Sequence, residues 1–227
     1  MQPAHPQLVV MLTRNDHTVE NAAELFAECK NSKAAIWGFK EKPLPLAEMK
    51  ALYAEMKACG KMTALEVVCY TEEEGLAGAE MAVDCGCDIL MGTLYSDRIN
   101  EFCQMHQMKY MPFVGNITGR PSVLTGEIED MIAEAKNYLA KGVYGIDLLG
   151  YRYQGDAVAL NKAFVAAVDA PVCLAGSINN WQRLDEVKEA APWAFTIGSA
   201  FFENKFGEAL CQQIDQVCDY MQKDDRE

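Results

Sequence analysis

Three charged side chains stand in apolar sequence, where a solvated residue is not expected. Lys40 follows "IWGF", Glu66 interrupts "TALEVVCY" and Asp147 interrupts "VYGIDLLGY". A cation beside two carboxylates can move a proton next to a carbonyl group, because one carboxylate takes the proton while the cation stabilises the enediolate oxygen. The predicted base is Asp147 or Glu66, and the predicted electrophilic partner is Lys40 or Arg14.

The same three residues also have structural interpretations. A buried ion pair with Lys40 or Arg14 would satisfy Glu66, and backbone N–H groups that fix a loop would satisfy the carboxylate of Asp147. Lys40 would then be a solvated lysine at the start of the loop "KEKPLP".

A second pattern occurs twice near the C-terminus. "CLAGSINNWQ" and "FTIGSAFFEN" each run from a short apolar segment through Gly-Ser into a predicted helix start. Backbone N–H groups at such a turn can approach an anion, and a helix N-terminus adds a favourable field. Asn179 and Asn180 also suit helix capping, so part of the pattern has a structural use. The residues predicted to bind phosphate are Gly176, Ser177, Gly198 and Ser199.

The elements that must position these residues alternate along the chain. Short apolar runs such as "LVVML", "DILMGT" and "APVCLAG" precede helical patterns eight times. In one of them Leu46, Met49, Leu52, Tyr53 and Met56 recur at steps of three and four, which indicates a helix. Eight pairs of about 28 residues predict an α/β fold, a single (βα)8 TIM barrel spanning residues 1–227. No G-x-G-x-x-G follows the first strand, which disfavours an open dinucleotide-binding sheet.

In such a barrel the active site lies at the carboxyl ends of the strands. Alternation in the third strand turns Leu65, Val67 and Cys69 toward the helices and directs Glu66 and Tyr70 into the barrel. Phosphate in these barrels is often held after strands seven and eight, where the two Gly-Ser pairs fall. Other polar residues at predicted strand ends are Arg14, Asn15, Asp16, Thr93, Asn116, Arg120 and Tyr151, of which Asn116, Arg120 and Tyr151 are predicted substrate contacts.

Residues 143–206 resemble a known group of proteins. "GIDLLGYRYQGD", "APVCLAGSINNWQRLDEVKEA" and "AFTIGSAFFENKF" are similar to the C-terminal half of the ribulose-phosphate-binding barrels. Within that group the similarity is to the N-acylglucosamine-6-phosphate 2-epimerases, and more loosely to the isomerases of histidine and tryptophan biosynthesis. The matching positions are Gly145, Asp147, Gly150 and Gly155 in the strand-six motif and Gly176, Gly198 and Ser199 in the phosphate loops.

Two departures from the epimerase pattern concern catalysis. That family has a glutamate just before the strand-seven glycine, where this chain has Ala175. It has a lysine at the end of strand three, where this chain has Val68, Cys69 and Tyr70. The resemblance therefore implies the fold and the phosphate site, whereas the epimerase's own catalytic pair is missing.

The predicted function is an enzyme that isomerises or epimerises a phosphosugar. The first alternative is an aldolase or lyase in which Lys40, with a lowered pKa, forms a Schiff base with a keto substrate. The second is a barrel that binds a phosphorylated metabolite without turning it over, since the same fold hosts many functions.

Composition restricts the binding partners, the cellular location and the cofactors that we expect. The formal net charge of −13 disfavours binding to nucleic acid or anionic lipid, and the N-terminal segment has no signal-peptide or membrane-spanning pattern. The nine cysteines are predicted to be reduced thiols of a cytoplasmic chain. Their spacing is not that of a zinc site, and we expect neither a metal nor a cofactor. The cysteines expected on apolar faces of helices or strands are Cys29, Cys59, Cys69, Cys173, Cys211 and Cys218. The expected partner is a phosphorylated small molecule, and the expected oligomer is a homodimer.

Overall fold

Eight strands form the centre of the fold, and each is a short apolar run of the sequence. The structure, a computed structural model, describes residues 3–223; residues 1–2 and 224–227, including the end of the acidic tail "QKDDRE", lie outside the described residues. The barrel strands are β1 Gln7–Met11, β2 Ile36–Lys40, β3 Met62–Val67, β4 Ile89–Gly92, β5 Lys109–Met111, β6 Ile146–Leu148, β7 Val172–Leu174 and β8 Ala194–Ile197.

Helices follow the strands and cover their outer side. They are α1 Ala22–Cys29, α2 Leu46–Ala58, α3 Glu72–Asp84, α4 Asp97–Met105, α5 Ile128–Ala140, α6 Ala157–Ala167, α7 Trp181–Ala190, α8 Ser199–Phe202 and α9 Leu210–Gln222. The predicted period of α2 is confirmed, since Met49, Leu52, Tyr53 and Met56 are buried. Leu46, at the first turn, is 39% exposed.

The strands are parallel and lie in the order β6, β7, β8, β1, β2, β3, β4, β5. The two edges of this sheet meet, because Tyr110 O accepts hydrogen bonds from Tyr144 N and Gly145 N, and Asp147 N donates to Pro112 O at 3.0 Å. Parallel strands joined by helices and curled edge to edge form the predicted (βα)8 barrel, so the predicted fold class is confirmed.

Alternate residues of each strand face two separate apolar cores. One set fills the inside of the barrel and includes Val9, Ile36, Ala64, Met91 and Cys173. The other set packs against the helices, and it contains the predicted helix-facing residues Leu65, Val67 and Cys69. Because side chains alternate along a strand, every second residue near the carboxyl end of each strand faces the inside of the barrel.

Three small elements at the strand ends were not predicted. The first hairpin pairs Thr13–Arg14 with His17–Thr18 in antiparallel fashion. The second hairpin, residues 116–125, pairs Asn116–Thr118 with Val123–Thr125 in the same way. A 3-10 turn, Gly150–Arg152, follows β6. All three lie at the end of the barrel where β1 to β8 finish, so they shape its mouth.

The prediction that the cysteines are reduced is wrong for one pair. Cys29, at the end of α1, and Cys211, in the first turn of α9, form a disulfide with a Cα–Cα distance of 5.0 Å. The two positions are 182 residues apart in sequence, so no spacing pattern links them. Seven other cysteines of the described residues are free. No helix within residues 3–223 combines the length and apolarity needed to cross a membrane.

Candidate functional site

A cavity of about 610 Å³ opens at the carboxyl ends of the strands. Its walls come from the loops after β1, β6, β7 and β8, from the ends of β2 and β3, and from the hairpin of residues 116–125. The predicted site residues that line it are Lys40, Glu66, Arg120, Gly176, Ser177, Gly198 and Ser199. The phosphate loops and the charged residues of β2 and β3 therefore face one common space.

Lys40 and Glu66 form the charged centre of this cavity. They are register partners on β2 and β3, and Lys40 Nζ lies 3.4 Å from Glu66 Oε1. Lys40 Nζ also forms an ion pair with Asp16 in the turn of the first hairpin. The side chains of Lys40 and Glu66 are only 11% and 12% exposed. An ammonium has three N–H donors, so these two carboxylates leave one donor for a ligand oxygen.

The charges in this cluster control one another's protonation. Burial would lower the pKa of Lys40, but Glu66, Asp16 and Glu41 outweigh it and raise the pKa above the ordinary lysine value. Burial raises the pKa of Glu66, against the opposing effect of Lys40. Lys40 is therefore a cation near neutral pH, and Glu66 is a carboxyl group shifted toward the range in which it can both accept and return a proton.

Asp147 is not one of the residues that line the cavity. Its side chain is fully buried, and neither carboxylate oxygen has a hydrogen-bond partner within residues 3–223. Burial raises the pKa of Asp147 well above its usual range, and the neighbouring Glu66 raises it further. The neutral form of Asp147 is thus favoured by burial and by Glu66, and Asp147 does not line the cavity.

Arg120 brings the second hairpin over the cavity. Its guanidinium lies 3.5 Å from Asp16 Oδ2 and 3.2 Å from Glu41 Oε1, and it also donates a hydrogen bond to Val68 O. Tyr70 holds the same hairpin, since its hydroxyl donates to Gly119 O at 2.6 Å. Residues 116–125, which follow β5, are therefore attached to the ends of β2 and β3 across the barrel mouth.

The two Gly-Ser loops present unused backbone donors. Within the described residues, the N–H groups of residues 176–179, 198 and 199 donate no hydrogen bond, and all six residues line the cavity. Gly198 is packed against the hairpin that follows β1, because a Cβ there would lie 2.6 Å from Thr13 Oγ1. Six N–H groups without an acceptor, in residues that line one cavity, are an arrangement suited to binding an oxyanion.

The helix starts differ between the two loops. After Gly198 the chain enters α8 at once, whereas α7 begins at Trp181, four residues beyond Ser177, with Asn180 as its N-cap. Asn180 Oδ1 accepts a hydrogen bond from Arg183 N at 2.9 Å. Asn180 therefore caps α7, as the sequence allowed, and residues 176–179 form a loop that precedes the helix.

Some predicted residues lie elsewhere. The side chain of Arg14 is exposed and alternates with Thr13, which is the neighbour that lines the cavity. Asn116 is exposed on the second hairpin. Tyr151 is half-buried, with its hydroxyl 3.3 Å from Arg183 O. Tyr70, expected inside the barrel, instead contacts the second hairpin. The structure does not bring these four to the cavity wall.

Two cavity residues were given no role by the sequence, although Asp16 was among the polar residues at the predicted strand ends. Asp16 reaches Lys40 because Asn15 and Asp16 both have positive φ, as the tight turn of a type I′ hairpin requires. The pair "ND" between Arg14 and His17 was the available signal. Arg152 lines the cavity from the turn after β6, and the only signal for it was its place in "GYRYQGD".

The described residues were also searched for metal ligands. Within residues 3–223, no three or more His, Cys, Asp or Glu side chains are grouped so that they could hold a metal ion. The thiol of Cys87, from the "DCGCD" segment, is buried and donates weakly to the backbone oxygens of Thr63 and Ile89.

Comparison with known proteins shows the fold. No family model matches the sequence, and no curated protein matches it. Among solved structures, the tryptophan synthase alpha chain of Legionella pneumophila subsp. pneumophila is similar with a TM-score of 0.70, at 14% identity over 98% of this chain and 94% of that one. Orotidine 5′-phosphate decarboxylase from Pyrococcus horikoshii OT3 has a TM-score of 0.70, at 10% identity over 96% of this chain and all of that one.

An epimerase is also among the similar structures. The N-acetylmannosamine-6-phosphate 2-epimerase of Clostridium perfringens has a TM-score of 0.63, at 11% identity over 86% of each chain. At these identities the likeness concerns architecture alone. The chain has a (βα)8 barrel fold, and the solved structures similar to it include an N-acetylmannosamine-6-phosphate 2-epimerase and an orotidine 5′-phosphate decarboxylase.

Proposed function

We propose that the protein is a phosphosugar isomerase or epimerase that moves a proton alpha to a carbonyl group. One observation carries the proposal: Lys40 and Glu66, 3.4 Å apart, face the same cavity as the six free N–H donors of the two Gly-Ser loops. A phosphate held by the loops would place the rest of a short sugar chain against the charged pair.

Each residue then has a distinct role. Glu66 takes the proton, because its side chain lines the cavity and its pKa is raised by burial. Lys40 donates its remaining N–H to the carbonyl oxygen and stabilises the negative charge that develops there. Asp16 holds Lys40 in place through their ion pair. Gly176, Ser177, Gly198 and Ser199 bind the phosphate. Two structural neighbours, an N-acetylmannosamine-6-phosphate 2-epimerase and an orotidine 5′-phosphate decarboxylase, support the substrate class.

Isotope exchange tests the proposal. The protein is incubated in D2O with a panel of ketose and aldose phosphates, and deuterium incorporation is followed by NMR. We expect wash-in with at least one member, and we expect Glu66→Gln to slow it by roughly 10²-fold to 10⁴-fold, the usual contribution of a general base. Lys40→Met should have a comparable effect. Glu203→Gln, which alters a carboxylate at the cavity rim, is the matched control for charge.

The outcomes separate this function from the alternatives. If no phosphosugar exchanges deuterium although phosphate binds, the protein is a binder and the proposed reaction is wrong. Borohydride trapping with keto acids and keto sugars tests the aldolase. We expect no added mass on the Lys40 peptide, because the carboxylates around Lys40 raise its pKa, and a Schiff base requires the neutral amine.

A further inference from the structure

Three cations line the cavity, and they differ in their partners. Lys40 is paired with Asp16 and Glu66, and Arg120 is paired with Asp16 and Glu41. Arg152 lines the same cavity but forms no ion pair within residues 3–223, in a chain whose formal net charge is −13. Arg152 as a residue is half-buried. A guanidinium that loses part of its hydration without gaining an anion is costly, so a ligand that supplies the anion would be favoured.

The backbone around Arg152 is firmly placed. Gly150 starts the 3-10 turn and packs on α6 so closely that a Cβ would lie 1.8 Å from Asn161 Oδ1. Tyr151 N donates to Ala175 O at 3.3 Å, which attaches the turn to the end of β7. Tyr153, on the other side of Arg152, donates from its hydroxyl to Gly126 O at 2.8 Å. The turn is therefore anchored on three sides.

The stem of Arg152 lies directly on the first Gly-Ser loop. A Cβ at Gly176 would be 2.6 Å from Arg152 Cγ, and Gly176 has φ +91, so the lack of a side chain there serves both the close approach and the backbone. This contact places Arg152 beside the free N–H groups of residues 176–179.

The nearby Arg183 does a different job. Its guanidinium donates to Ser177 O and lies over the ring of Tyr151 at 5.1 Å, and it does not line the cavity. Because C=O and N–H of a trans peptide point in opposite directions, binding of Ser177 O from outside directs the N–H of Ile178 away from Arg183. Arg183 thus braces the loop from the side opposite to that donor.

We infer that Arg152 is the cation of the phosphate site, donating from its guanidinium to phosphate oxygens while the loop N–H groups bind the others. This inference rests on the proposed function, which placed the phosphate at the two Gly-Ser loops without a charged side chain. A planar guanidinium matches two oxygens of a phosphate at once, which a lysine cannot do. A guanidinium also binds a carboxylate in this way, but the six loop N–H groups together with Arg152 offer more donors than the two oxygens of a carboxylate can use. We therefore expect the substrate's terminal group to be a phosphate monoester, whose three terminal oxygens can accept from both sets of donors.

Binding of inorganic phosphate tests the role of Arg152. The full-length protein is titrated at constant ionic strength and neutral pH by calorimetry. We expect Arg152→Gln to weaken binding on the order of 10-fold to 100-fold, as loss of a charged hydrogen-bond partner does. Arg152→Lys should bind with intermediate affinity. Arg14→Gln removes an exposed cation at the same end of the barrel outside the cavity wall, and should change the affinity less than about 2-fold.

Thermal unfolding separates binding from folding. Arg152→Gln should unfold at the wild-type midpoint without phosphate but lose most of the rise that phosphate causes in the wild type. Wild-type affinity in Arg152→Gln would overturn the inference, whereas the proposed phosphate site at the two Gly-Ser loops would be retained. If Arg152→Gln does not fold, wild-type affinity in Arg152→Lys overturns it. If the wild type binds no phosphate, the phosphate site of the proposed function fails, and this inference fails with it.

Discussion

Glu66 and Asp147 are both carboxyl groups inside the barrel, yet their surroundings give them different roles. Glu66 has a cation at 3.4 Å and faces the cavity. Asp147 has no ion pair within residues 3–223 and no access to solvent, so its charged form is strongly disfavoured. Among the two bases that the sequence left open, the geometry favours Glu66, with Asp147 as a protonated neighbour.

The first prediction concerns the pH dependence of stability in Asp147→Asn. The pKa of Asp147 is raised in the folded state, so between the unfolded and folded pKa values the folded state holds the extra proton. In that pH range, the titration of Asp147 lowers the free energy of unfolding of the wild type by about 1.4 kcal/mol for each unit by which the pH rises. Asp147→Asn has no carboxyl group at this position, so its stability does not fall in this way. Asp147→Asn should therefore gain stability relative to wild type as the pH rises from about 4.5.

Urea unfolding of both proteins at several pH values between about 4.5 and 7 measures this difference. Glu66, Lys40 and Cys173 face Asp147 and are unchanged in the variant, so the difference isolates the one carboxyl group. Asp130→Asn, on the exposed side of α5, is the matched control for the chemical change. A stability difference between Asp147→Asn and wild type that does not change with pH would contradict the prediction.

The sequence pattern alone predicted some of the residues of the candidate site. Glu66 was predictable because a carboxylate at an inward strand position must be paired or functional, and Gly176 and Gly198 were predictable from their place after two strands. The position of Arg152 and the contact of Asp16 with Lys40 were not, since they depend on a 3-10 turn and on a hairpin turn whose residues carry no apolar period.

The elements of the barrel and those of its mouth differ in how far the sequence specifies them. Apolar runs and helical periods indicated each strand and helix, because burial on one or both faces imposes a repeat. The hairpin of residues 116–125 has one buried side chain in each strand, Ile117 and Leu124, and its strands are three residues long. Such a short pairing has too little alternation to predict, although it forms one wall of the cavity.

The second prediction concerns the attachment of this hairpin. The hydroxyl of Tyr70 donates to Gly119 O at 2.6 Å and lies 2.9 Å from Ser122 Oγ. Tyr70→Phe removes both contacts, so local opening should become easier by about 1 kcal/mol, the net value of one such hydrogen bond. Hydrogen exchange at residues 116–125 should then be roughly 5-fold faster.

Mass spectrometry of deuterium uptake reports this change by segment. Tyr95→Phe is the control, because the Tyr95 hydroxyl also donates one strong hydrogen bond, to Asp97 Oδ1 at 2.5 Å, but to a residue outside the hairpin. Uptake at residues 116–125 in Tyr70→Phe that matches wild type would show that the other attachments hold the hairpin without Tyr70, namely the ion pairs of Arg120 and the hydrogen bond from Gln154 N to Leu124 O.

At the scale of the whole molecule, the chain closes on itself twice. The barrel closes where β5 meets β6, and the helical layer closes where the disulfide joins α1 to α9. Lys33, just after α1, adds an ion pair with Asp219 of α9 at 2.5 Å. The sequence predicted the first closure through the eightfold repeat, whereas the second depends on which helices become neighbours in three dimensions. A homodimer and a single domain over residues 1–227 stay predictions.

The third prediction is that the disulfide contributes strongly to stability. A cross-link between positions 182 residues apart restricts the unfolded chain much more than the folded one, which typically stabilises a protein by about 2–4 kcal/mol. The double variant Cys29→Ala, Cys211→Ala should lose about that much in urea unfolding, and the wild type under a reducing agent should approach it. Cys59→Ala, which removes an exposed free thiol, is the matched control and should unfold within about 0.5 kcal/mol of wild type. A double variant as stable as the oxidised wild type would mean that the pair contributes packing only.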